Sequence, residues 1–176
     1  MTYIKFQENE IINILDTEVH IIKKIAESGY GNIWKAFFPS VGKYYALKIF
    51  RNDDDYNDYA DEEIKLLATL HAVKKECGKK VNCLSSDKSF TLEYEDELYK
   101  GVILKLFDMD LQDYVYKHRK EKGFKKFVLY AIQEIINSVA FINSCGYIHG
   151  DLKLNNILVK KNKDKFPTLC LCDYSD

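Results

Sequence analysis

The 176 residues carry 26 Lys+Arg against 27 Asp+Glu and a formal net charge of -1, with 47% hydrophobic residues, 8 Gly and 2 Pro. The apolar content suits a packed core and not a disordered chain, and the balanced charge leaves no basic footprint for nucleic acid. No apolar run approaches the roughly 20 residues that a membrane span needs: the most apolar stretch, 127–142, is interrupted by Gln133, Glu134 and Asn137, and MTYIKFQENE lacks the basic and apolar blocks of a secretory signal.

The first half reads as strands. Residues 19–25 (VHIIKKI) lead into a turn at 28–31, and 33–38 (IWKAFF) and 43–50 (KYYALKIF) follow, with Pro39 and Gly42 marking the turn between them. The acidic cluster 53–55 suits the positive end of a helix, and over 56–70 Ala60, Ile64, Leu67 and Leu70 share helical spacing, with Leu66 beside them. Residues 73–89, lysine-rich and containing Gly78, are expected as a loop, with room for a short helix. Two strands, 90–94 and 98–106, then flank a turn at 95–97.

The second half is helical. Leu111, Tyr114, Val115 and His118 fit one face of a short helix ending by Gly123. Residues 124–145 form a long helix whose apolar face holds Phe127, Val128, Ala131, Ile132, Ile135, Val139 and Ile142, stopped by Gly146. Strands at 157–159 and 168–172 close the chain. The five cysteines, Cys77, Cys83, Cys145, Cys170 and Cys172, lack structural-zinc spacing and read as reduced thiols.

The chemistry concentrates in His149-Gly150-Asp151-Leu152-Lys153-Leu154-Asn155-Asn156, between the long helix and a strand. A carboxylate, a cation two residues on and an amide five residues on are the groups phosphoryl transfer uses to take a proton, neutralise a phosphoryl group and ligate a hard cation. Asp173 follows the last strand, a natural place for a second metal ligand.

HGDLKLNN resembles the catalytic loop H-R-D-L-K-x-x-N of eukaryotic-type protein kinases. Asp173-Tyr174-Ser175 resembles that family's D-F-G, Tyr45-Ala46-Leu47-Lys48 its third-strand V-A-I-K, and 25–33 (IAESGYGNI) its glycine-rich loop. The four motifs stand in the family's order, and the resemblance spans about 19–176. It implies an α+β fold, an antiparallel-sheet N-lobe with one helix over 1–107 and the first part of a mainly helical C-lobe over 108–176. It also implies an ATP- and Mg2+-dependent Ser/Thr protein kinase.

By the same resemblance Lys48 holds the α- and β-phosphates and pairs with an acid on the first helix, Glu63, with Glu62 as the alternative. Asp151 is the catalytic base, Lys153 the cation on the γ-phosphate, and Asn156 and Asp173 the Mg2+ ligands. Gly29 and Gly31 lie in the phosphate-binding turn. Ile25, Ile33 and Ala46 enclose adenine, Leu104 is the gatekeeper, Lys105 to Phe107 form the hinge and Asp110 reaches the ribose. His149 is structural. Lys153 resembles the Ser/Thr-specific form.

Departures are plain. Ala26 and Ser28 occupy two of the family's glycine positions, so nucleotide handling is expected to be weaker or slower. Gly150 replaces the arginine that pairs with a phosphorylated activation loop, and Ser175 replaces the D-F-G glycine. The chain ends three residues after Asp173. The resemblance therefore implies a missing C-terminal segment, or a partner chain, over the apolar face of 124–145, and a rival reading as a nucleotide- or partner-binding module without catalysis. The only arginines are Arg51 and Arg119, and lysine, asparagine and isoleucine are abundant, a usage that suits an AT-rich genome. With HGDLK and D-Y-S it points to kinases of large DNA viruses, which implies the host cytoplasm or the virion.

Overall fold

The computed structural model describes residues 3–53, 57–78, 81–163 and 166–174. Asp54, Asp55, Tyr56 and Ser175, to which the sequence assigned a helix start and a turn, lie outside the described residues. The chain divides into two compact units, one of Met1–His71 and Ser85–Leu106, the other of Ala72–Leu84 and Phe107–Asp176.

In the first unit β1 (Ile11–Ile14), β2 (Thr17–Ser28), β3 (Gly31–Phe38), β4 (Lys43–Phe50), β5 (Ser89–Tyr94) and β6 (Glu97–Lys105) form an antiparallel sheet in the order β1-β2-β3-β4-β6-β5. Period-2 alternation decides its faces. Trp34, Ala36 and Phe38 of β3, Leu47 and Ile49 of β4 and Ile103 of β6 turn to one side and join Val19, Ile21, Phe90 and Leu92 in the core. Ile4 and Phe6, ahead of the first strand, also enter it, with Phe6 edge-on to Trp34 at 5.2 Å.

β1 was not foreseen. The turn that returns it to β2 is built by Leu15 and Asp16 at φ 51 and 56, a conformation usually signalled by Asn-Gly or Asp-Gly. Helix α1 (Asn57–Cys77) also departs from expectation, because 73–77 continue it where a loop was predicted. Lysine is a good helix former, and Lys74 and Lys75 sit in the last turn, where the helix end is negative. Its buried residues are Ala60, Leu66, Leu67 and Leu70; Leu66 lies deeper than Ile64.

In the second unit β7 (Met109–Asp110), β8 (Ile157–Lys160) and β9 (Thr168–Leu171) form a small antiparallel sheet beside α2 (Leu111–His118) and α3 (Phe124–Ser144). The sequence placed 72–84 with the first half. Their hydrogen bonds place them here: Leu84 N–H donates to Leu171 (2.7 Å), Leu171 N–H to Asn82 (3.0 Å) and Ser138 Oγ–H to the Asn82 carbonyl (3.1 Å). Local composition carried no sign of these long-range bonds.

By length and composition alone α3 is long and apolar enough to cross a membrane, against the expectation that no stretch was, because Gln133, Glu134 and Asn137 lower its average too little. It packs on β9 and buries Phe127, Ala131, Ser138, Phe141 and Ile142. Leu129, Ile132 and Ile136, one to two turns apart, are exposed at 71%, 49% and 57%. Of the foreseen face Val128 and Ile132 are exposed, so that face is wider than the stripe this unit buries, and Leu129 and Ile136 add apolar surface beyond it.

Leu47→Ala, at the centre of the sheet core, is expected to cost about 2–5 kcal/mol, whereas Leu129→Ala should change stability by less than about 0.5 kcal/mol. Urea denaturation followed by circular dichroism distinguishes the two.

Candidate phosphoryl-transfer site

β4 presents Lys48 by register. Ile33 faces Lys48 across the β3–β4 ladder, and Ala46 faces Leu104 across β4–β6. Directly opposed residues share a sheet face, so Ile33, Ala46, Lys48 and Leu104 line one side of the sheet, opposite the core. Ile25, named with them for adenine, sits at a register shift between Lys24 and Ala26 and is 42% exposed. Lys105 is exposed and Phe107 half-buried.

The Lys48 ammonium donates to both Glu63 oxygens, at 2.6 and 2.5 Å, with side-chain exposures of 6% and 12%. Glu63, rather than Glu62, is thus the acid that meets Lys48. The Phe50 ring lies 5.2 Å from the same ammonium. Apolar and aromatic walls keep water from the charges, so each depends on the other for solvation.

Gly31 is retained for packing: a Cβ there would lie 2.3 Å from the Ile49 carbonyl oxygen and 2.9 Å from Phe50 Cα. A Cβ on Gly29 would meet nothing within 4 Å. Within the turn Ser28 Oγ–H donates to the Gly31 carbonyl (3.1 Å), and Tyr30 N–H donates to Ser28 Oγ (3.3 Å). A serine at a glycine position thereby becomes part of the turn's own bonding.

In the second unit Asp151, Lys153 and Asn156 form one network. Lys153 Nζ donates to Asp151 Oδ2 at 2.5 Å, and Asn156 Nδ2 donates to the Asp151 carbonyl (2.9 Å) and to Oδ2 (3.0 Å). The Lys153 bond, seconded by Asn156, holds the exposed Asp151 carboxyl below its ordinary range, and the Asp151 carboxylate raises Lys153. Asp151 N–H donates back to the His149 carbonyl (2.8 Å), making a γ-turn about Gly150 at φ 69. That turn requires a positive φ, which glycine adopts without steric cost. The residue read as a lost arginine therefore has a backbone role of its own.

Asn156 is buried, with its amide nitrogen committed to Asp151, so its carbonyl oxygen is the atom left for a cation. Cys172 N–H donates to the Asn156 backbone carbonyl (3.0 Å), which brings the start of Asp173 beside that loop. Asp173 has φ 60, a left-handed conformation that aspartate tolerates better than most residues. Among the described residues no group of three His, Cys, Asp or Glu side chains could hold a metal. One amide and one carboxylate oxygen nevertheless match what Mg2+ takes from a protein when phosphates supply the rest.

The sequence missed what holds Asp173 in place. The Tyr174 hydroxyl reaches the carbonyls of Leu171 (2.8 Å) and Leu84 (2.9 Å), and burial raises its pKa well above the usual value. His149 is buried edge-on to the Tyr174 ring at 5.4 Å, in keeping with a structural role. Asp110, expected at a ribose, accepts the Asp113 N–H (2.7 Å) as the N-cap of α2.

The sequence matches the model of the protein kinase domain over residues 19–175. The chain belongs to the protein kinase family. It is 29% identical to cyclin-dependent kinase B1-1 of Arabidopsis thaliana, over 81% of this chain and 48% of that one. It is 28% identical to human dual specificity tyrosine-phosphorylation-regulated kinase 3, over 80% and 23%, and 21% identical to serine/threonine-protein kinase spk-1 of Caenorhabditis briggsae, over 87% and 14%. The chain thus spans at most about half the length of these relatives. As a protein kinase chain it has the family's α+β architecture, with an antiparallel-sheet first lobe.

Removing one member of the buried pair should destabilise this kinase chain more than removing both. Lys48→Met alone is expected to cost about 3–5 kcal/mol, much of it recovered in Lys48→Met/Glu63→Leu; calorimetry of the three proteins checks this. Asp151 should stay ionised to a lower pH than a free aspartate, and Lys153→Met should move its titration upward towards that of a free aspartate. Carboxyl NMR of the two proteins reads that shift.

Proposed function

We propose that this chain carries the nucleotide-handling part of a protein kinase that transfers the γ-phosphoryl group of ATP to a serine or threonine hydroxyl with Mg2+. The observation that carries the proposal is the buried Lys48–Glu63 pair. Such pairs contribute little net stability compared with an apolar replacement, so its value lies in presenting a fixed cation. Lys48 then holds the α- and β-phosphates, with Ile33, Ala46 and Leu104 on the same sheet face as the adenine surface. Ile25, Gly29 and Gly31 are proposed along the adenine and phosphates, and Lys105 to Phe107 and Asp110 along the purine and ribose.

In the second unit Asp151 orients the acceptor hydroxyl and takes its proton as the oxygen attacks phosphorus. The new O–P bond forms while the bond to the β-phosphate oxygen breaks, and ADP leaves with the electron pair. The low pKa of Asp151 keeps it in the accepting form at neutral pH. Lys153, two residues away, supplies positive charge for the transferring group and favours a Ser/Thr acceptor. Asn156 and Asp173 would hold Mg2+, which when bound neutralises phosphate charge.

A second reading, a nucleotide- or partner-binding module without catalysis, is favoured by one observation: Leu129, Ile132 and Ile136 lie exposed along α3, and contiguous apolar surface marks interaction sites.

Phosphate transfer from labelled ATP to a mixture of Ser- and Thr-containing peptides separates the readings. Asp151→Asn and Lys48→Met should each lower the rate about 100-fold or more. Equal rates in wild type and Asp151→Asn would sink the catalytic reading; Mg2+-dependent ATP binding without transfer would favour the module.

A further inference from the structure

The glycine-rich segment carries Ala26 and Ser28 where its family resemblance leads one to expect glycine, yet three successive carbonyls of its turn, Ser28–Gly31, are held from outside. The Tyr3 hydroxyl lies 3.2 Å from both the Ser28 and the Gly29 carbonyl oxygens. Arg51, immediately after β4, donates Nη1–H to the Gly29 carbonyl (3.0 Å) and its backbone N–H to the Tyr30 carbonyl (3.0 Å). The guanidinium is itself fixed, with Nη2 on Asp53 at 2.7 Å and its centre 5.7 Å from the Tyr3 ring. Arg51 is 7% exposed. One residue on from Tyr3, the Ile4 carbonyl accepts the Asn32 side-chain amide (3.3 Å), and Ile4 and Phe6 are sunk in the sheet core. The turn's tip is held as well, since the Tyr30 ring stacks on Tyr59 of α1 at 3.9 Å and 13°.

We propose that Tyr3 and Arg51 are positioning residues for the phosphate-binding turn, the N-terminal segment acting as a strap that sets the direction of the turn's peptide groups. In a trans peptide the C=O and N–H point in opposite directions. Drawing the carbonyls of 28, 29 and 30 toward Tyr3 and Arg51 therefore turns the N–H groups of 29, 30 and 31 away from them; the Tyr30 N–H is taken by Ser28 Oγ (3.3 Å), which leaves those of Gly29 and Gly31 as the ones the strap presents. Oriented N–H groups are what an anionic phosphate recognises. With serine in place of a family glycine at 28, external anchors supply the orientation of the turn's peptide groups. Tyr3 lies outside the matched span 19–175, so the strap is a feature of this chain's own N-terminal residues. The proposal rests on the nucleotide reading given above only for its ligand; the strap itself is a contact within one unit.

The test uses the full chain with Tyr3→Phe, Arg51→Met and Arg51→Lys, reading amide hydrogen exchange over 28–31 without nucleotide, the Kd for Mg–ATP, and KM against kcat for ATP. Tyr3→Phe keeps the ring and removes only the hydroxyl. It should speed exchange at 29–31 and weaken ATP binding about five-fold, the loss of one hydrogen bond. The effect should fall more on KM than on kcat. Arg51→Met should do so by about ten-fold or more, with Arg51→Lys partly restoring it. Unchanged exchange and unchanged ATP affinity in Tyr3→Phe overturn the proposal, whatever the fate of Arg51→Met. Faster exchange without loss of ATP affinity also overturns it, leaving the strap structural only. If wild type binds no ATP at millimolar concentration the nucleotide reading falls instead, and unchanged exchange in Tyr3→Phe would then still overturn the strap.

Discussion

The Lys48–Glu63 ion pair is the constraint around which the first unit is arranged. Two charges with side-chain exposures of 6% and 12% are tolerable only together. Their contact requires β4 to present Lys48 on the face away from the sheet core, and α1 to turn Glu63 toward it. The β3–β4 and β4–β6 registers satisfy the first demand, and burial of Ala60, Leu66, Leu67 and Leu70 satisfies the second by setting the helix rotation. A slip of one residue in β4 would send Lys48 into the apolar core and Leu47 out of it. The packing that stabilises the sheet and the geometry that offers a cation are therefore the same arrangement.

The second unit works by another means. The Asp151 and Lys153 side chains are exposed while Asn156 is buried, and the loop that carries them is ordered largely by backbone hydrogen bonds. The γ-turn at Gly150, the left-handed Asp173 and the bond from Cys172 N–H to the Asn156 carbonyl bring the loop and the end of β9 side by side. The Tyr174 hydroxyl then holds the residue after Asp173 against the carbonyls of Leu171 and Leu84. Unusual backbone conformations at such a site persist because their surroundings hold them.

How legible this was varied with the range of the interaction. Strands β2, β3 and β4 and helix α3 were evident from periodicity, since each buries a face whose spacing the sequence repeats. β1 escaped because Leu15 and Asp16 build its turn without the usual residues, and the last turns of α1 escaped because lysines suit helices and loops alike. Among site residues Lys48, Asp151, Lys153 and Asn156 stood out by motif. Arg51 and Tyr3 did not: one reads as a charged strand end and the other as part of an unremarkable N-terminus, and their roles exist only where residues 22 to 26 positions apart meet.

By itself the sequence determined the order of elements, the alternation that separates core from outer face, and the family motifs, because all of these are local in the chain. Only the tertiary structure decided that Glu63 and not Glu62 meets Lys48, that Gly150 carries a turn, that 72–84 belong with the second unit, and that α3 leaves part of its apolar face bare. Each of those depends on which distant groups satisfy a buried charge, a backbone carbonyl or an apolar surface, and pairing at a distance leaves no trace in local composition.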